Sequence, residues 1–300
     1  LGPGLDYDLG EPFGLEYGQS LPPELVQLVI EGADEERKES QYLLGLLKLY
    51  GVSMVKDPAK AVEYIRMAAE QGDPDAQTAL GVLLYHGHGV SKDQGVAAAW
   101  FKSAANEGHL EAKWLLGRSL YEGVGGRRDL PGAVKLFNEA AAAGHPRGYH
   151  YLGLMHEYGL ELPQDLVKAR QYYAQAALGG LAQSHYNLGL MMAHGRGARQ
   201  DFSAAAINFQ KGAERHHAPS MYYLGKLCLH GHGMPVDYDK ALLWFENAAA
   251  AGDPSVSGKA AAARDELVYN LQQARRLNEQ LMQGYDYGRA EEPEEPGRAT

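Results

Sequence analysis

Apolar residues recur along this chain in helical stretches that repeat every 36 residues, two stretches to each period. In the interval 76–108, Leu80 and Leu84 share one face of the first stretch, and the second stretch, AAAWFKSAA, has apolar residues at helical spacing. A fixed period of this length indicates a repeat architecture. Four columns keep this register: the glycines Gly45, Gly81, Gly117, Gly153, Gly189 and Gly225; the aspartates Asp57, Asp93, Asp129, Asp165, Asp201 and Asp237; the alanines Ala61, Ala97, Ala133, Ala169, Ala205 and Ala241; and the glycines Gly72, Gly108, Gly144, Gly180 and Gly252.

The columns have the positions expected in a pair of antiparallel helices. Asp73 is typical of an N-cap, and Pro74 after it stands at the first helical position, where a missing N–H has no cost. The glycines of GHG, 87–89, allow the left-handed turn between two helices. Asp93 begins the second helix, and Gly108 ends it. Because one hairpin cannot bury its own apolar face, stacked neighbours must cover it, and the sequence predicts an all-α fold, an α-solenoid.

The same periodicity predicts how the chain is divided. The stretch LPPELVQLVIEGA aligns without a gap onto DPAKAVEYIRMAA and predicts the helix of an N-terminal half repeat, whereas KAAAARDELVYNLQQARRLNEQLMQ predicts a long helix that caps the last repeat. We therefore predict an extended acidic and aromatic arm at 1–20, a half-repeat helix at 21–36, a solenoid of about six repeats at 37–252, a capping helix at 253–283 and a mobile acidic tail at 284–300.

One unit carries a family resemblance. The stretch AQTALGVLLYHGHGVSKDQGVAAAWFKSAANEG, at 76–108, resembles the Sel-one-like repeat, a relative of the tetratricopeptide repeat with a longer loop between its helices. The resemblance covers roughly residues 37–252 and implies an α-solenoid that binds other proteins. Relatives include adaptors of a membrane-bound ubiquitin ligase that clears misfolded proteins from the endoplasmic reticulum, and bacterial proteins that engage host or envelope partners.

Two units depart from the pattern. The fourth unit reads EYGLELPQD, with Glu161 and Leu162 where a second glycine is expected, so we expect its loop to take a different turn. The fifth unit has His216 in the column of glycines that end the second helix. A left-handed backbone at a non-glycine residue costs roughly 1 kcal/mol. Either that helix ends differently or its backbone is strained.

Histidines gather in the loops between the two helices of a hairpin, at His86, His88, His194, His230 and His232. A metal site needs three or four ligands about 2 Å from one point, whereas equivalent loops on stacked helices should lie on the order of 10 Å apart. A phosphate-binding loop would follow a strand and open a helix with GK[ST]. We therefore interpret these loops as connectors and predict no metal site and no cofactor. An alternative function is the binding of a metal ion or small molecule through these histidines. It predicts that zinc raises the melting temperature of the protein.

The net charge of −10 is concentrated at the two ends of the chain. Residues 1–20 hold four acids and no base, and 284–300 hold five acids and two arginines, which leaves about −3 for the repeats. Binding of nucleic acid requires a basic face, so nucleic acid is not the expected partner. The chain contains no GxSxG, HExxH or CxxC motif and no GxGxxG after a strand, so we predict that it is not an enzyme.

The cellular compartment stays open at this stage. No run of about 18 apolar residues predicts a membrane span, so we expect a soluble chain, with peripheral attachment to a membrane complex as an open alternative. No secretory signal stands at Leu1, and removal of an earlier segment stays an open alternative. Cys228 is the only cysteine, which excludes an intramolecular disulfide and slightly favours a reducing compartment.

The first helix of each hairpin has a second face, opposite to the face whose small and apolar residues pack on a neighbouring helix. In the second unit this face holds positions 75, 78, 82 and 85, opposite to 76, 80 and 84. By resemblance to tetratricopeptide domains it should line a concave groove for an extended peptide or a helix of a partner. The predicted groove residues are Trp114, Arg118, Arg147, His150, Tyr186, Tyr222 and Lys226. Packing between hairpins is a second interpretation of the aromatic rings, but the three cations have no packing reason to align.

The arm LGPGLDYDLGEPFGLEYGQS has no helical period, and its aromatic residues Tyr7, Phe13 and Tyr17 predict docking on a partner or on the chain's own solenoid. We therefore expect a non-enzymatic scaffold or adaptor that binds protein partners through its groove and its terminal extensions. Two alternatives stay open: a structural subunit of a large stable assembly, organellar or membrane-associated, and an adaptor of the ubiquitin ligase of the endoplasmic reticulum.

Overall fold

The computed structural model describes residues 20–289, with side chains as far as Met282. All regular elements in this part of the chain are helices, which confirms the predicted all-α solenoid of helical hairpins. The helices within the described residues are α1 (Pro23–Asp34), α2 (Lys38–Tyr50), α3 (Pro58–Glu70), α4 (Pro74–His86), α5 (Gln94–Asn106), α6 (Leu110–Glu122), α7 (Leu130–Ala142), α8 (Pro146–Tyr158), α9 (Leu166–Leu178), α10 (Ala182–Ala193), α11 (Phe202–Ala213), α12 (Ala218–His230), α13 (Tyr238–Ala250) and α14 (Ser257–Arg289).

The chain forms two compact units. Unit 1 extends from the first described residue to Met191 and includes Gly195–Arg199, whereas unit 2 contains Met192–His194 and the residues from Gln200 onward. In unit 1, the pairs α2–α3, α4–α5, α6–α7 and α8–α9 are hairpins, and the second helix of each of the first three packs on the first helix of the next. In unit 2, the hairpin α12–α13 packs between α11 and α14.

The six aspartates of the period begin the second helices. Asp129, for example, accepts a hydrogen bond through Oδ1 from the backbone N–H of Gly132, at 3.0 Å. Such an N-cap satisfies a backbone donor that the helix itself leaves unpaired. The other five make the same bond to the residue three positions later: Asp57, Asp93, Asp165, Asp201 and Asp237. The aspartate column is therefore a set of helix starts.

In the hairpins α4–α5, α6–α7, α8–α9 and α12–α13, a glycine of the first helix lies against a ring of the second, whereas in α2–α3 Gly45 lies against Ile65. Phe101 is buried, and a Cβ atom at Gly81 would stand 2.5 Å from Phe101 Cε1, closer than side chains pack. Glycine is needed at this position because the two helices approach each other so closely. The same contact joins Gly117 to Phe137, Gly153 to Tyr173 and Gly225 to Phe245.

The loop glycines have two separate functions. Gly87 ends α4 with a left-handed φ of 78°, as in the C-caps of other first helices. Gly89 has a φ of 69°, and a Cβ atom there would lie 2.3 Å from the carbonyl oxygen of Pro58, at the start of the preceding hairpin's second helix. The GHG sequence therefore ends one helix and allows the loop to contact the neighbouring repeat.

The two departures from the pattern keep the regular backbone. Glu161 adopts a left-handed φ of 58°, as the glycines at this loop position do, so the predicted different turn is wrong. Its neighbours Leu160 and Leu162 pack against the apolar cluster around Phe137, which favours the regular loop. His216 also has a φ of 58°, and His217 N–H donates to the Gly212 carbonyl as in the other repeats. The strained backbone, and not a different helix end, is therefore the correct alternative.

The terminal helices lie close to where the sequence predicted them. Helix α1 packs on α2 through Val29 and Ala33. Helix α14 starts at Ser257, buries Ala260 and Leu267, and continues to Arg289, beyond the predicted end at residue 283. Of the predicted arm only Ser20 is described, and of the predicted tail only 284–289, which belong to α14. None of the described helices combines the length and the apolar character that crossing a bilayer requires.

Candidate partner-binding face

The predicted groove residues of unit 1 lie on its first helices. Trp114 and Arg118 are on α6, Arg147 and His150 on α8, and Tyr186 on α10. We call the surface of α4, α6 and α8 around these residues the first-helix face of unit 1. Tyr222 and Lys226 are on α12, in unit 2. The arm residues Tyr7, Phe13 and Tyr17 lie outside the described residues.

A small recess lies between α4 and α6 on this face. Its walls are Val82, Tyr85, His86, Phe101, Leu115, Arg118 and Ser119. Most of these groups are apolar or aromatic, and Arg118 is the cation among them. The recess is therefore a mostly apolar depression with room for about one water molecule, and Arg118 lies at its edge.

Three side chains hold each other at the recess. Arg118 Nε donates to Glu122 Oε1 at 2.8 Å, and the hydroxyl of Tyr85 donates to Glu122 Oε2 at 2.7 Å. The guanidinium of Arg118 also lies over the Tyr85 ring, 5.4 Å from its centroid. Burial disfavours the charged form of Arg118, but its interactions with Tyr151 and Glu122 outweigh this effect, so the pKa of Arg118 is raised. The side chain is therefore charged and held in place at any physiological pH.

Trp114 is part of the interior. Its side chain is 0% exposed, and its ring stacks on Tyr151 with centroids 6.4 Å apart. The packing interpretation is therefore correct for this residue, and Trp114 supports the face from below. Arg147 lies above it, with its guanidinium 4.6 Å from the Trp114 centroid. A cation over an indole ring is a favourable pairing that also fixes the direction of the guanidinium.

Glu111 connects two consecutive repeats beneath Arg147. Its Oε1 accepts from Trp114 Nε1 at 2.7 Å, and its Oε2 is 2.6 Å from His145 Nε2. Burial alone would raise the pKa of this carboxyl, but the hydrogen bonds from His145 and Trp114 favour the anion and the pKa of Glu111 is lowered. The anionic form of Glu111 is thus stabilised by these hydrogen bonds and by the nearby guanidinium of Arg147.

The remaining predicted residues are half-buried and in contact with neighbouring side chains. His150 Nδ1 is 2.7 Å from the hydroxyl of Ser184 on α10, and Tyr186 stands half-buried on the same helix. In unit 2, Lys226 Nζ lies 5.8 Å from the Tyr222 centroid and 5.4 Å from that of Tyr223. Burial, and then the neighbouring Tyr223, raise the pKa of Tyr222, so it stays a neutral phenol. Each unit therefore pairs a cation with aromatic rings on its first helices.

The sequence analysis did not identify the two carboxylates that organise this face. Arg118 and Glu122 are four residues apart on one helix, a spacing that predicts their ion pair. Glu111 and His145 are joined across two repeats, and no local spacing indicates that bond. It could have been inferred from the histidines that replace aspartate at the start of α6 and α8, because a histidine there reaches the preceding first helix.

The loop histidines form two close pairs. The rings of His86 and His88 are 6.1 Å apart, and those of His230 and His232 are 5.7 Å apart. Among the described residues, no group of three or more His, Cys, Asp or Glu side chains is placed to hold a metal ion. His232 instead stacks on Phe202, with centroids 4.7 Å apart, so this histidine contributes to packing between repeats of unit 2.

Comparison with known proteins supports the hairpin periodicity. The family model described as Sel1 repeat matches six consecutive segments, 38–73, 74–109, 110–145, 146–181, 182–217 and 218–253. A solved Sel1 repeat protein from Oxalobacter formigenes is 25% identical with a TM-score of 0.67, over 76% of this chain and 97% of that one. A comparison with curated proteins gives no match.

A second solved structure is c5321, a protective antigen present in uropathogenic Escherichia coli strains that displays an SLR fold. It is 26% identical with a TM-score of 0.60, and the match covers 82% of the present chain. The present chain covers 52% of the length of c5321, about half of that protein.

Proposed function

Because the chain belongs to the Sel1 repeat family, we propose that it is a scaffold that holds a protein partner on its first-helix faces. Sel1 repeat proteins typically mediate protein–protein interactions, and the fold is generally non-catalytic. For this chain, the proposed contacts are Arg118, Arg147, His150 and Tyr186 in unit 1 and Tyr222 and Lys226 in unit 2. Trp114 supports Arg147 and is not itself a contact.

The observation that carries this proposal is the pairing of cations with rings on a face beside the apolar core. Arg118 lies over Tyr85, and Arg147 lies over Trp114. Arginine and aromatic side chains that are already fixed in place lose little conformational entropy on binding, which is why they dominate the binding energy of protein interfaces.

The test is recovery of bound proteins from native extract by crosslinking and mass spectrometry. The wild type is compared with the double variant Arg118→Gln, Arg147→Gln and with a control, Lys102→Gln, Lys135→Gln. The control removes the same charge from exposed positions on the second helices α5 and α7. We expect the face variant to lose one or a few partners and the control to retain them, at unchanged circular dichroism. Equal recovery by all three proteins would refute the proposal.

A second candidate function rests on α14. This helix has 33 residues, and beyond the part that packs on α13 it exposes Leu277 at 59% and Leu281 at 61%. Exposed apolar residues at helical spacing favour a permanent contact, as in a structural subunit of a large assembly. Changing Leu277 and Leu281 to Gln distinguishes the two functions: an adaptor retains its partners, whereas a structural subunit is lost from its assembly on a sizing column.

A further inference from the structure

We propose that four polar side chains at a single junction determine which repeat can follow the fourth one, and thereby fix the order of the repeats along the chain. They are Glu157, Tyr173, Asn187 and Arg196, and we call them the junction network. The inference goes beyond the proposed function, because it concerns how the chain arranges its repeats and not what the arranged chain binds.

The junction network joins the fourth repeat to the fifth. Glu157 and Tyr173 lie on α8 and α9 of the fourth repeat, whereas Asn187 lies on α10 of the fifth repeat and Arg196 in the loop after α10. The Tyr173 hydroxyl donates to Glu157 Oε2 at 2.5 Å, and the guanidinium of Arg196 pairs with Glu157 Oε1. The side chain of Asn187 hydrogen-bonds the Tyr173 hydroxyl. Both residues of the fifth repeat therefore bind polar groups of the fourth.

The carboxylate at the centre of the network is removed from water. Glu157 is 5% exposed, and Tyr173 is 0% exposed. Burial, and then the charge of Glu157, raise the pKa of Tyr173, so its hydroxyl stays protonated and can donate. A buried ion pair adds little net stability compared with well-packed apolar residues, but removal of one partner is strongly destabilising. The network therefore discriminates between neighbouring repeats more than it stabilises the chain.

None of the other five repeats carries this set of residues. The position of Glu157 holds leucine, tyrosine or alanine elsewhere, and the position of Tyr173 holds phenylalanine or isoleucine. The position of Asn187 holds leucine, alanine or tyrosine in the other repeats, and the position of Arg196 holds valine, leucine or histidine. Four departures from the 36-residue pattern thus meet at one junction and satisfy one another. This coincidence is the observation that carries the inference.

A different neighbour would leave the charged groups without partners. If the third repeat preceded the fifth, Arg196 would meet Tyr121 in place of the carboxylate. If the fourth repeat preceded the third, Glu157 would meet Val124 in place of the guanidinium. Because a buried charge without a partner is strongly unfavourable, both of these orders are disfavoured.

The features that recur in every repeat do not specify an order. All six second helices begin at an aspartate and bury the same alanine, so these features fit any neighbour equally well. Misassembly and the exchange of elements between molecules are characteristic failures of repeat proteins. The order of the repeats also decides the composition of the first-helix face, since His150 and Tyr186 lie on the two sides of this junction.

The experiment exchanges whole repeats within the full chain. In the test chain, the third and fourth repeats, 110–145 and 146–181, change places, which separates the junction network. In the control chain, the second and third repeats, 74–109 and 110–145, change places, which alters the same number of junctions and leaves the network intact. We expect the test chain to unfold at a urea midpoint roughly 1 M below that of the control chain. Circular dichroism follows the unfolding of both.

A replacement of the network shows whether it causes this difference. In both the natural and the exchanged order, its residues are changed to those that other repeats carry: Glu157→Leu, Tyr173→Phe, Asn187→Leu and Arg196→Val. In the natural order the midpoint should stay within about 0.3 M of the wild type, because apolar packing replaces a satisfied network at little cost. In the exchanged order the replacement should raise the midpoint by roughly 1 M, or restore folding if the test chain does not fold.

Equal midpoints of the test and control chains would overturn the inference. So would a replacement that shifts the midpoint by the same amount in both orders, or one that leaves an unfolded test chain unfolded. A replacement that raises the midpoint in the exchanged order alone would support it. These measurements involve no partner, so the inference and the proposed function can fail independently of each other.

Discussion

The second helices of the hairpins share the same N-cap and the same buried alanine, whereas the first helices differ along one face. Every second helix from α3 to α13 begins at an aspartate, and the alanine four residues after that aspartate is 0% exposed in all six. On the first helices, the equivalent positions Thr78, Trp114 and His150 are chemically unrelated. Positions that repeat are therefore those the fold requires, and the proposed contacts lie among the positions that vary, of which Thr78 and Trp114 are themselves buried.

The largest expected effect comes from removing a repeated ring. Phe101→Ala deletes a buried side chain on α5 and leaves a cavity beside Gly81, which should lower the free energy of unfolding by about 3 to 5 kcal/mol. Urea unfolding followed by circular dichroism measures this loss. Val96→Ala, an exposed change on the same helix, serves as the control and should stay within about 0.5 kcal/mol of the wild type. Similar losses for both variants would contradict the distinction between repeated and variable positions.

The next effect concerns Glu111 and depends on pH. Its pKa is lowered in the folded chain, so it binds protons less readily there than in the unfolded chain. Its stabilising contribution is therefore complete above the ordinary glutamate pKa of about 4.3 and is lost as the pH falls through the lower folded pKa. Glu111→Gln should cost roughly 1 to 2 kcal/mol at pH 7 and should flatten the decline of stability between about pH 5 and 3. Urea unfolding across that range tests this, and parallel pH profiles for the two proteins would rule it out.

A smaller effect is expected at a repeated helix start. Asp129→Ala removes the acceptor for the Gly132 N–H and should cost about 1 kcal/mol. Asp129→Asn retains a side-chain oxygen at the same place and should recover most of that loss. Thermal unfolding of the three proteins gives the comparison, and an asparagine variant as unstable as the alanine variant would show that the cap is not the cause.

The smallest expected effect is an increase in stability. His216 occupies a left-handed backbone that glycine adopts without strain, so His216→Gly should stabilise unit 2 by about 0.5 to 1 kcal/mol. His216→Ala keeps the strain and should give no such gain. Urea midpoints decide between them, and equal stabilisation by both variants would indicate that the imidazole and not the backbone is unfavourable.

The 36-residue period predicts the fold because each repeated residue has a structural role within its own hairpin. A cap, a left-handed turn and a glycine under a ring each depend on neighbours at a fixed separation in sequence. For the first-helix face, the sequence predicted which positions belong to it but not which of their side chains are exposed. Trp114 is in the interior, although its column suggested the surface, because the next repeat supplies Tyr151 and Arg147 to cover it. Such coverage depends on which side chains meet across repeats, and periodicity does not specify them.

The contact between Gly89 and the start of α3 also bears on how chains of this kind are lengthened. Since each loop rests on the backbone of the preceding hairpin, an insertion between Gly87 and Gly89 would separate two repeats, whereas a duplicated copy of 74–109 placed after His109 would restore the contact. Lengthening the chain by whole 36-residue modules therefore preserves the contact between neighbouring repeats, in evolution and in protein engineering alike. Each added module would extend the array while contributing a new first helix whose outward residues can be chosen freely.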